Sequence, residues 1–258
     1  MKLQDRRQQI IDRLIEAGTV ALDDLARQFG VSKMTIHRDL DDLAAAGMLR
    51  KLRGGATIES SLQFEADYRF RERRDRPEKA RIAHAAAGLV EPGMTVLIND
   101  GSTAAILAEM LARRRDLTVI TNNLAAINTL AGAPGVTLLA LGGAYSRKFN
   151  GFFGVIAEEA LARLRADIAF VSTPAILGGA CYHMDDAVTR TKRQMIRAAG
   201  RACLLADQSK FGRSALHHLA DLGEFAAVIT GAAPAPPHAD ALEEAGTRLI
   251  IATEEPAS

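Results

Sequence analysis

Cysteine is scarce in this 258-residue chain: Cys181 and Cys203 are the only two. Two isolated thiols give no disulfide framework and no metal-ligand cluster, so neither a metal nor another cofactor is expected, and the usage suits a reducing compartment. Long apolar runs are absent too. Nothing approaches the ~20 consecutive apolar residues that a bilayer-crossing helix needs, and no signal-peptide core stands near the N-terminus, so a cytoplasmic protein is expected. An excess of one charge is also missing, since 32 Lys and Arg face 31 Asp and Glu for a net +1 at pH 7. That excludes a polybasic coat, and any affinity for nucleic acid must come from cations grouped locally.

Against this even background, LDDLARQFG followed by VSKMTIHRDL stands out. The first segment places Leu22, Leu25, Ala26 and Phe29 on one helical stripe, and Gly30 ends that helix. Ser32 can N-cap a second helix whose inner face is Ile36, Leu40 and Leu43. Two short helices joined by a Gly-containing turn make a helix-turn-helix, whose second helix enters the DNA major groove by its N-terminal residues. Its outward positions Lys33, Met34, Thr35, His37 and Arg38 offer cations, a hydroxyl, an imidazole and an apolar tip to base edges and phosphates.

Further on, MLRKLRGGA sets Arg50, Lys51 and Arg53 on a strand-like pair closed by Gly54 and Gly55, a wing suited to the phosphate backbone. An interaction module would share the apolar stripes, but not the cap, turn glycine, polar tip and basic wing in this order. Asp23, Asp24, Asp39, Asp41 and Asp42 nearly offset the neighbouring cations, so those cations must gather on the docking face. Ser32 and the eight polar-tip and wing residues just named are the candidate contacts to double-stranded operator DNA.

Here the chain resembles the DeoR family of bacterial transcriptional repressors, through RRQQIIDRL, LARQFGVS, TIHRDLDDL and RGGA. Three residues depart from the family's usual pattern: His37 where Arg is usual, Lys33 where Glu is frequent, and Arg53 in place of a common His. Two of these lie on the reading helix, so the operator sequence does not carry over from a relative.

Length allows a small N-terminal module and one large α/β domain. Residues 1–56 are expected to form the winged helix-turn-helix and 77–258 the sensor and oligomerisation domain. Residues 57–76, polar and rich in Arg69, Arg71, Arg73, Arg74 and Arg76, read as a solvated linker running into a helix. Pro77 suits the start of that helix, with Ile82, Ala83, Ala86 and Leu89 on its buried side.

From residue 94 the chain alternates compact apolar runs (MTVLIN, LTVIT, VTLLAL, DIAFVS, ACLLA, AAVIT, TRLII) with helical stripes at AAILAEML, LAAINTL, AEEALARL and DDAVTRTKRQMIRAA. This predicts a mostly parallel sheet with helices on both faces, and ligands outside the carboxyl ends of its strands. The loop Asn99, Asp100, Gly101, Ser102 and Thr103 opens a helix whose free N–H groups favour an anion such as phosphate. Thr121, Asn122 and Asn123 suit sugar hydroxyls. Gly142 and Gly143 follow a strand, ahead of Arg147 and Lys148 on a loop able to close over a bound group. Lys192 and Lys210 can each add a point charge.

This half of the chain is similar to the DeoR sensor domain, which in fold is similar to ribose-5-phosphate isomerase and glucosamine-6-phosphate deaminase. The family's Asp-x-Gly-Ser/Thr-Thr pattern falls on residues 99–103, its Gly-Gly on Gly142 and Gly143, its helix Lys on Lys192, and its Asp-x-Ser-Lys on Asp207 to Lys210. The resemblance implies a phosphorylated sugar or related metabolite as effector. Asn99 stands where Asp is usual, STPAIL at 172–177 replaces a glycine-richer loop, and Gly231 stands where Asp is frequent.

Two functions compete: a repressor controlled by that metabolite, and a sugar-phosphate isomerase or deaminase with an N-terminal interaction domain. Enzymatic proton transfer needs a general base beside the substrate. Asp100 and Asp207 are the available carboxylates, yet neither forms an acidic pair or adjoins a His, and His183 reads as a surface or capping residue. A regulator without enzymatic activity is expected. A single winged helix covers little DNA and half-sites recur at about 34 Å, so a homodimer or homotetramer is expected.

Overall fold

The computed structural model describes residues 3–45, 48–57 and 67–253. The chain divides into two compact units, Met1–Arg74 and Asp75–Ser258.

In the first unit, α1 (Leu3–Ala17) buries Ile10, Leu14 and Ile15 on one stripe. After the short strand β1 (Thr19–Ala21), α2 (Leu22–Phe29) buries Leu25 and Ala26 and stops at Gly30, whose φ of 63° is the left-handed conformation that glycine adopts without strain. Ser32 Oγ then accepts the Thr35 N–H at 3.1 Å and so caps α3 (Lys33–Ala45), which buries Ile36, Leu40 and Leu43. The wing is β2 (Arg50–Leu52) against β3 (Gly55–Thr57), and β1 completes a three-stranded sheet in the order β1-β3-β2. The sequence reading has the wing pair but not β1, which is too short for periodicity to reveal.

Asp39 is read from sequence as one of the carboxylates offsetting the DNA-facing cations. Instead it is buried on the inner side of α3 and accepts from Arg6 Nε at 2.6 Å and Arg7 Nε at 3.2 Å, clamping α1 to α3. The stretch expected as a linker is not open coil throughout. Thr57 ends β3, and α4 (Tyr68–Arg73), capped by Asp67, ties into the first unit through Arg69 on Asp12 and Phe70 on the apolar core. Residues 58–66 of that stretch, and 254–258 of the expected sensor domain, lie outside the described residues.

The second unit opens with α5 (Arg76–Ala87), preceded by Asp75 at φ 50° and carrying Pro77 in its first turn. Its seven-stranded parallel sheet has the order β15-β14-β12-β9-β4-β5-β6. The strands are β4 (Thr95–Ile98), β5 (Leu117–Thr121), β6 (Val136–Ala140), β9 (Ala166–Ser172), β12 (Ala199–Leu205), β14 (Ala227–Thr230) and β15 (Arg248–Ile251). They are the seven apolar runs. Alternate residues serve opposite faces. Val96, Ile98, Ile168 and Phe170 pack with α5, α6 (Ser102–Leu111) and α7 (Leu124–Leu130), while Leu97, Ala169 and Val171 pack with α8 (Val155–Ala162), α9 (Asp186–Arg197) and α10 (Pro236–Glu244).

Two additions carry no long-range sequence signal. One is the hairpin β7 (Ala144–Ser146) and β8 (Gly151–Phe153). The other is an antiparallel trio of β10 (Ala175–Leu177), β11 (Ala180–His183) and β13 (His217–Asp221). The chain runs from β4 outward to β6 and returns to β9 on the other side of β4. The strand order therefore reverses between β4 and β9, which is where parallel sheets open a crevice.

Candidate functional sites

The tip of α3 presents Lys33, Met34, His37 and Arg38 to solvent, with Thr35 half-buried. Met34 is 63% exposed, as an apolar contact for a groove and not a core residue would be. Several of these groups are held by carboxylates. Lys33 Nζ bonds Asp23 at 2.8 Å, His37 Nδ1 lies 3.1 Å from Asp41, and Lys51 of the wing bonds the same Asp41. The hydrogen bonds from Lys51 and His37 hold Asp41 below the usual carboxylate range. Ser32 and Thr35 share their hydroxyls at 2.9 Å. Among the described residues Arg38, Arg50 and Arg53 have no ion pair. Exposed pairs of this kind are weak, so Lys33, His37 and Lys51 can exchange their partners.

In the second unit the reversal point collects most of the residues singled out from sequence. Asn99, Asp100, Thr121, Asn122, Asn123 and Lys192 are all within 1% of complete burial. Lys192 reaches from α9 to Asp100 Oδ1 at 3.4 Å and donates to the Ser172 carbonyl at 2.9 Å. With its amide oriented by its neighbours, Asn99 accepts from Lys192 Nζ at 3.2 Å and from the Ser172 hydroxyl and N–H. Asn thus stands where a second carboxylate would crowd Asp100 in the same dry space. A Cβ at Gly101 would overlap the Ser172 hydroxyl, so a larger residue there would have to displace that side chain. Asp100 Oδ2 and Asn122 Oδ1 are buried without a hydrogen-bond partner. Unsatisfied buried acceptors are costly, and these two are open to hydrogen-bond donors.

The hairpin β7–β8 lies on this cluster. Phe152 N–H donates to the Asn122 carbonyl at 2.9 Å, Asn122 Nδ2 donates to the Phe152 carbonyl at 2.9 Å, and Leu124 N–H donates to the Asn150 carbonyl at 3.0 Å. A Cβ at Gly151 would stand 3.0 Å from the Asn122 carbonyl and 3.2 Å from Asp100 Cβ, so the hairpin packs closely against both residues. Phe149 packs on His183 with ring centroids 5.3 Å apart. His183 is buried, not on the surface, and its Nδ1 accepts the Asp185 N–H at 3.1 Å, a capping-type bond.

Other expected site residues take different parts. Asn123 has no capacity left for a sugar: Nδ2 donates to the Asn99 and Gly101 carbonyls, and Oδ1 accepts from Ala125 and Ala126 as the cap of α7. Thr121 is likewise engaged by the Ile98 carbonyl at 2.8 Å and the Asn123 N–H. These two side chains fix the loops after β4 and β5 to one another. Ser102 and Thr103 are buried in the first turn of α6. Gly142 and Arg147 are exposed, Lys148 lies over the Phe149 ring, and Gly143, at φ 137°, packs on the Phe153 backbone of the hairpin.

Lys210 belongs to a second group at the ends of β12 and β14. Asp207 Oδ1 accepts the Ser209 N–H at 3.0 Å and the Ser209 hydroxyl, and Lys210 Nζ lies 3.5 Å from Oδ2. Burial pushes this carboxyl up, but Lys210, Ser209 and the charge of Lys79 outweigh it and hold Asp207 below the usual range. Lys79 and Glu78, both on α5, were missed from sequence. Lys79 is 2% exposed and falls in step with Ile82, Ala83 and Ala86; a lysine on that apolar stripe is the signal. Glu78 Oε1 accepts the Gln208 N–H at 3.1 Å. Burial, then the charges of Asp207 and Asp75, push its carboxyl above the usual range. It occupies the space a side chain at Gly231 would need, which accounts for the glycine there.

Among the described residues no group of His, Cys, Asp and Glu could hold a metal ion, and no helix is long and apolar enough to cross a membrane. Residues 6–62 match the family described as the DeoR-like helix-turn-helix domain, and residues 74–232 the DeoR C terminal sensor domain. The transcriptional repressor AccR of Agrobacterium fabrum is 31% identical over 97% of this chain and 93% of its own. The glycerol-3-phosphate regulon repressor of Escherichia coli is 31% identical over 91% of this chain and 93% of its own. A solved ribose 5-phosphate isomerase A from Methanocaldococcus jannaschii is 19% identical, with a TM-score of 0.37 over 52% of this chain and 53% of that one, a likeness too partial to carry weight.

Proposed function

Because the chain belongs to the DeoR family of transcriptional regulators, we propose that it represses a carbohydrate-catabolism operon and is controlled by a phosphorylated sugar or polyol bound beneath the β7–β8 hairpin. The observation that carries the ligand is the pair of orphaned acceptors, Asp100 Oδ2 and Asn122 Oδ1, buried beside Lys192 at the reversal point of the sheet. Both demand hydrogen-bond donors, as the hydroxyls of a sugar or polyol supply. A relative named for the glycerol-3-phosphate regulon fits a small phosphorylated polyol. The phosphate falls to the N–H groups at the start of α6, to Arg147 at the hairpin turn, or to Lys192 once the ligand's hydroxyls engage Asp100.

Lys33, Thr35, His37 and Arg38 read bases, with Met34 as an apolar contact, while Ser32, Arg50, Lys51 and Arg53 take phosphates of the operator. Binding follows as a homodimer or homotetramer in the cytoplasm, with the α/β unit holding the copies together. Asp100 is engaged by Lys192, as suits a binding site, and no catalytic role is assigned to it.

A thermal-shift screen of the full chain against phosphorylated sugars and polyols tests the ligand class. A true effector raises the melting temperature with the logarithm of its concentration above Kd. It must also change affinity for a duplex selected from genomic DNA, by about 5- to 150-fold for a coupling of about 1–3 kcal/mol. Stabilisation with turnover of the sugar phosphate and no duplex preference would establish the enzyme instead.

A further inference from the structure

The second polar group runs from Asp207 to Lys210, and what it holds is the beginning of α5. Glu78 Oε1 accepts the Gln208 N–H at 3.1 Å, and Gln208 in turn spans to Thr230 Oγ1 at 3.0 Å and the Ala232 carbonyl at 2.6 Å. Glu78 fills the space over Gly231, so one carboxylate is wedged between the loops that end β12 and β14. The next residue, Lys79, is buried and acts on Asp207, the anchor of Ser209 and Lys210. Two successive side chains of one helical turn are therefore committed to a single loop.

That turn is also where the second unit begins. The first unit ends at Arg74, Asp75 holds φ 50°, and α5 starts at Arg76 with Pro77 fixing the backbone. Only three residues separate Arg74 from Glu78. The turn gripped by that loop is therefore the first of the second unit, next in the chain to where the first unit ends. We propose that Glu78 is the positioning residue through which the 207–210 loop governs the DNA-binding unit: it acts on DNA only by setting the first turn of α5. This rests on the regulator function given above and adds the route by which its sensor half reaches the winged helix. An energetic link needs an element that both sites bias, and the first turn of α5 is that element.

The test perturbs the loop by mutation and needs no effector. The full-length parent, Glu78→Ala and Glu78→Gln are each prepared with and without Lys210→Ala. Hydrogen exchange of residues 79–83 and affinity for a duplex selected from genomic DNA by the parent are the two readouts. Lys210→Ala is expected to change both by about fivefold or more, the lower end of ordinary coupling. In the Glu78→Ala background both responses to Lys210→Ala shrink to within about twofold. Glu78→Gln, which keeps an accepting oxygen for the Gln208 N–H, restores the response. A purely structural residue would shift stability without altering the response to Lys210→Ala.

Equal responses with and without Glu78, or no response at residues 79–83, would overturn the proposal. Should Lys210→Ala fail to fold, the near-isosteric Asp207→Asn perturbs the same loop. A parent that selects no duplex refutes the regulator function, while the exchange arm still decides whether loop and helix move together.

Discussion

The two halves of this protein use the same charged side chains in opposite ways. On α3 and the wing, Lys33, His37 and Lys51 rest on the exposed Asp23 and Asp41, in pairs that water screens and that DNA phosphates can exchange. In the α/β unit Lys192 and Asp100 are each 1% exposed, and separating them leaves a bare charge in a dry space. Exchangeable pairs suit a surface that must sample many sequences. Committed pairs suit a site whose groups must keep their places. Asp39 and Asp41 show the same contrast two residues apart on one helix: the first is buried on Arg6 and Arg7, the second faces solvent.

The sharpest way to break the comparison is to remove one aspartate at a time. Asp39→Ala strands Arg6 and should cost about 3–5 kcal/mol in urea unfolding of the DNA-binding unit. Asp41→Ala should leave the unfolding midpoint where it is. Equal losses would show that burial does not separate the two. Lys192→Ala should destabilise the α/β unit by a similar amount, about 3–5 kcal/mol, and abolish effector-induced stabilisation while operator affinity holds. An unaltered ligand titration would remove Lys192 from the site.

Arg38→Ala comes next. It should weaken operator binding by about 1–3 kcal/mol in anisotropy titrations and leave ligand-induced stabilisation intact, and loss of both would refute the division of labour. Acid should report on the committed charges. The folded value of Asp207 lies below its unfolded one, so its contribution is present above the ordinary carboxylate range and is lost as pH falls through the folded value. Below about pH 4 the parent should therefore lose stability more steeply than Asp207→Asn, and parallel curves would mean that the carboxylate is not held as described. The smallest effect belongs to the wing, where Lys51→Ala should lower the salt slope of DNA binding by about one.

Local signals carried much of this structure. Gly30, Ser32 and the stripe Ile36, Leu40, Leu43 are enough to define the reading helix, because caps and periodicity act over a few residues. The seven sheet strands were visible as apolar runs; inner strands such as β9 and β14, largely buried on both faces, admit little else, while the edge strands β6 and β15 are only partly covered. The grouping of Asn99, Asp100, Asn122 and Lys192 was legible through the family pattern and through the rule that ligands meet strand ends. What stayed hidden depends on who meets whom across the chain. The hairpin β7–β8 gives no clue that it packs against Asp100. Asn123 looks like a ligand until its four hydrogen bonds to the scaffold are seen. Glu78 reads as a common helix-start acid, and only the fold sets it against Gln208, 130 positions away.

The most direct measurement is a titration of the full chain with its selected operator duplex in the presence and absence of the sugar or polyol phosphate that most raises its melting temperature. Ligand should change operator affinity by about 5- to 150-fold in the parent, with no such change in Lys192→Ala. An operator affinity indifferent to a ligand that demonstrably binds would contradict control of the winged helix by the buried site.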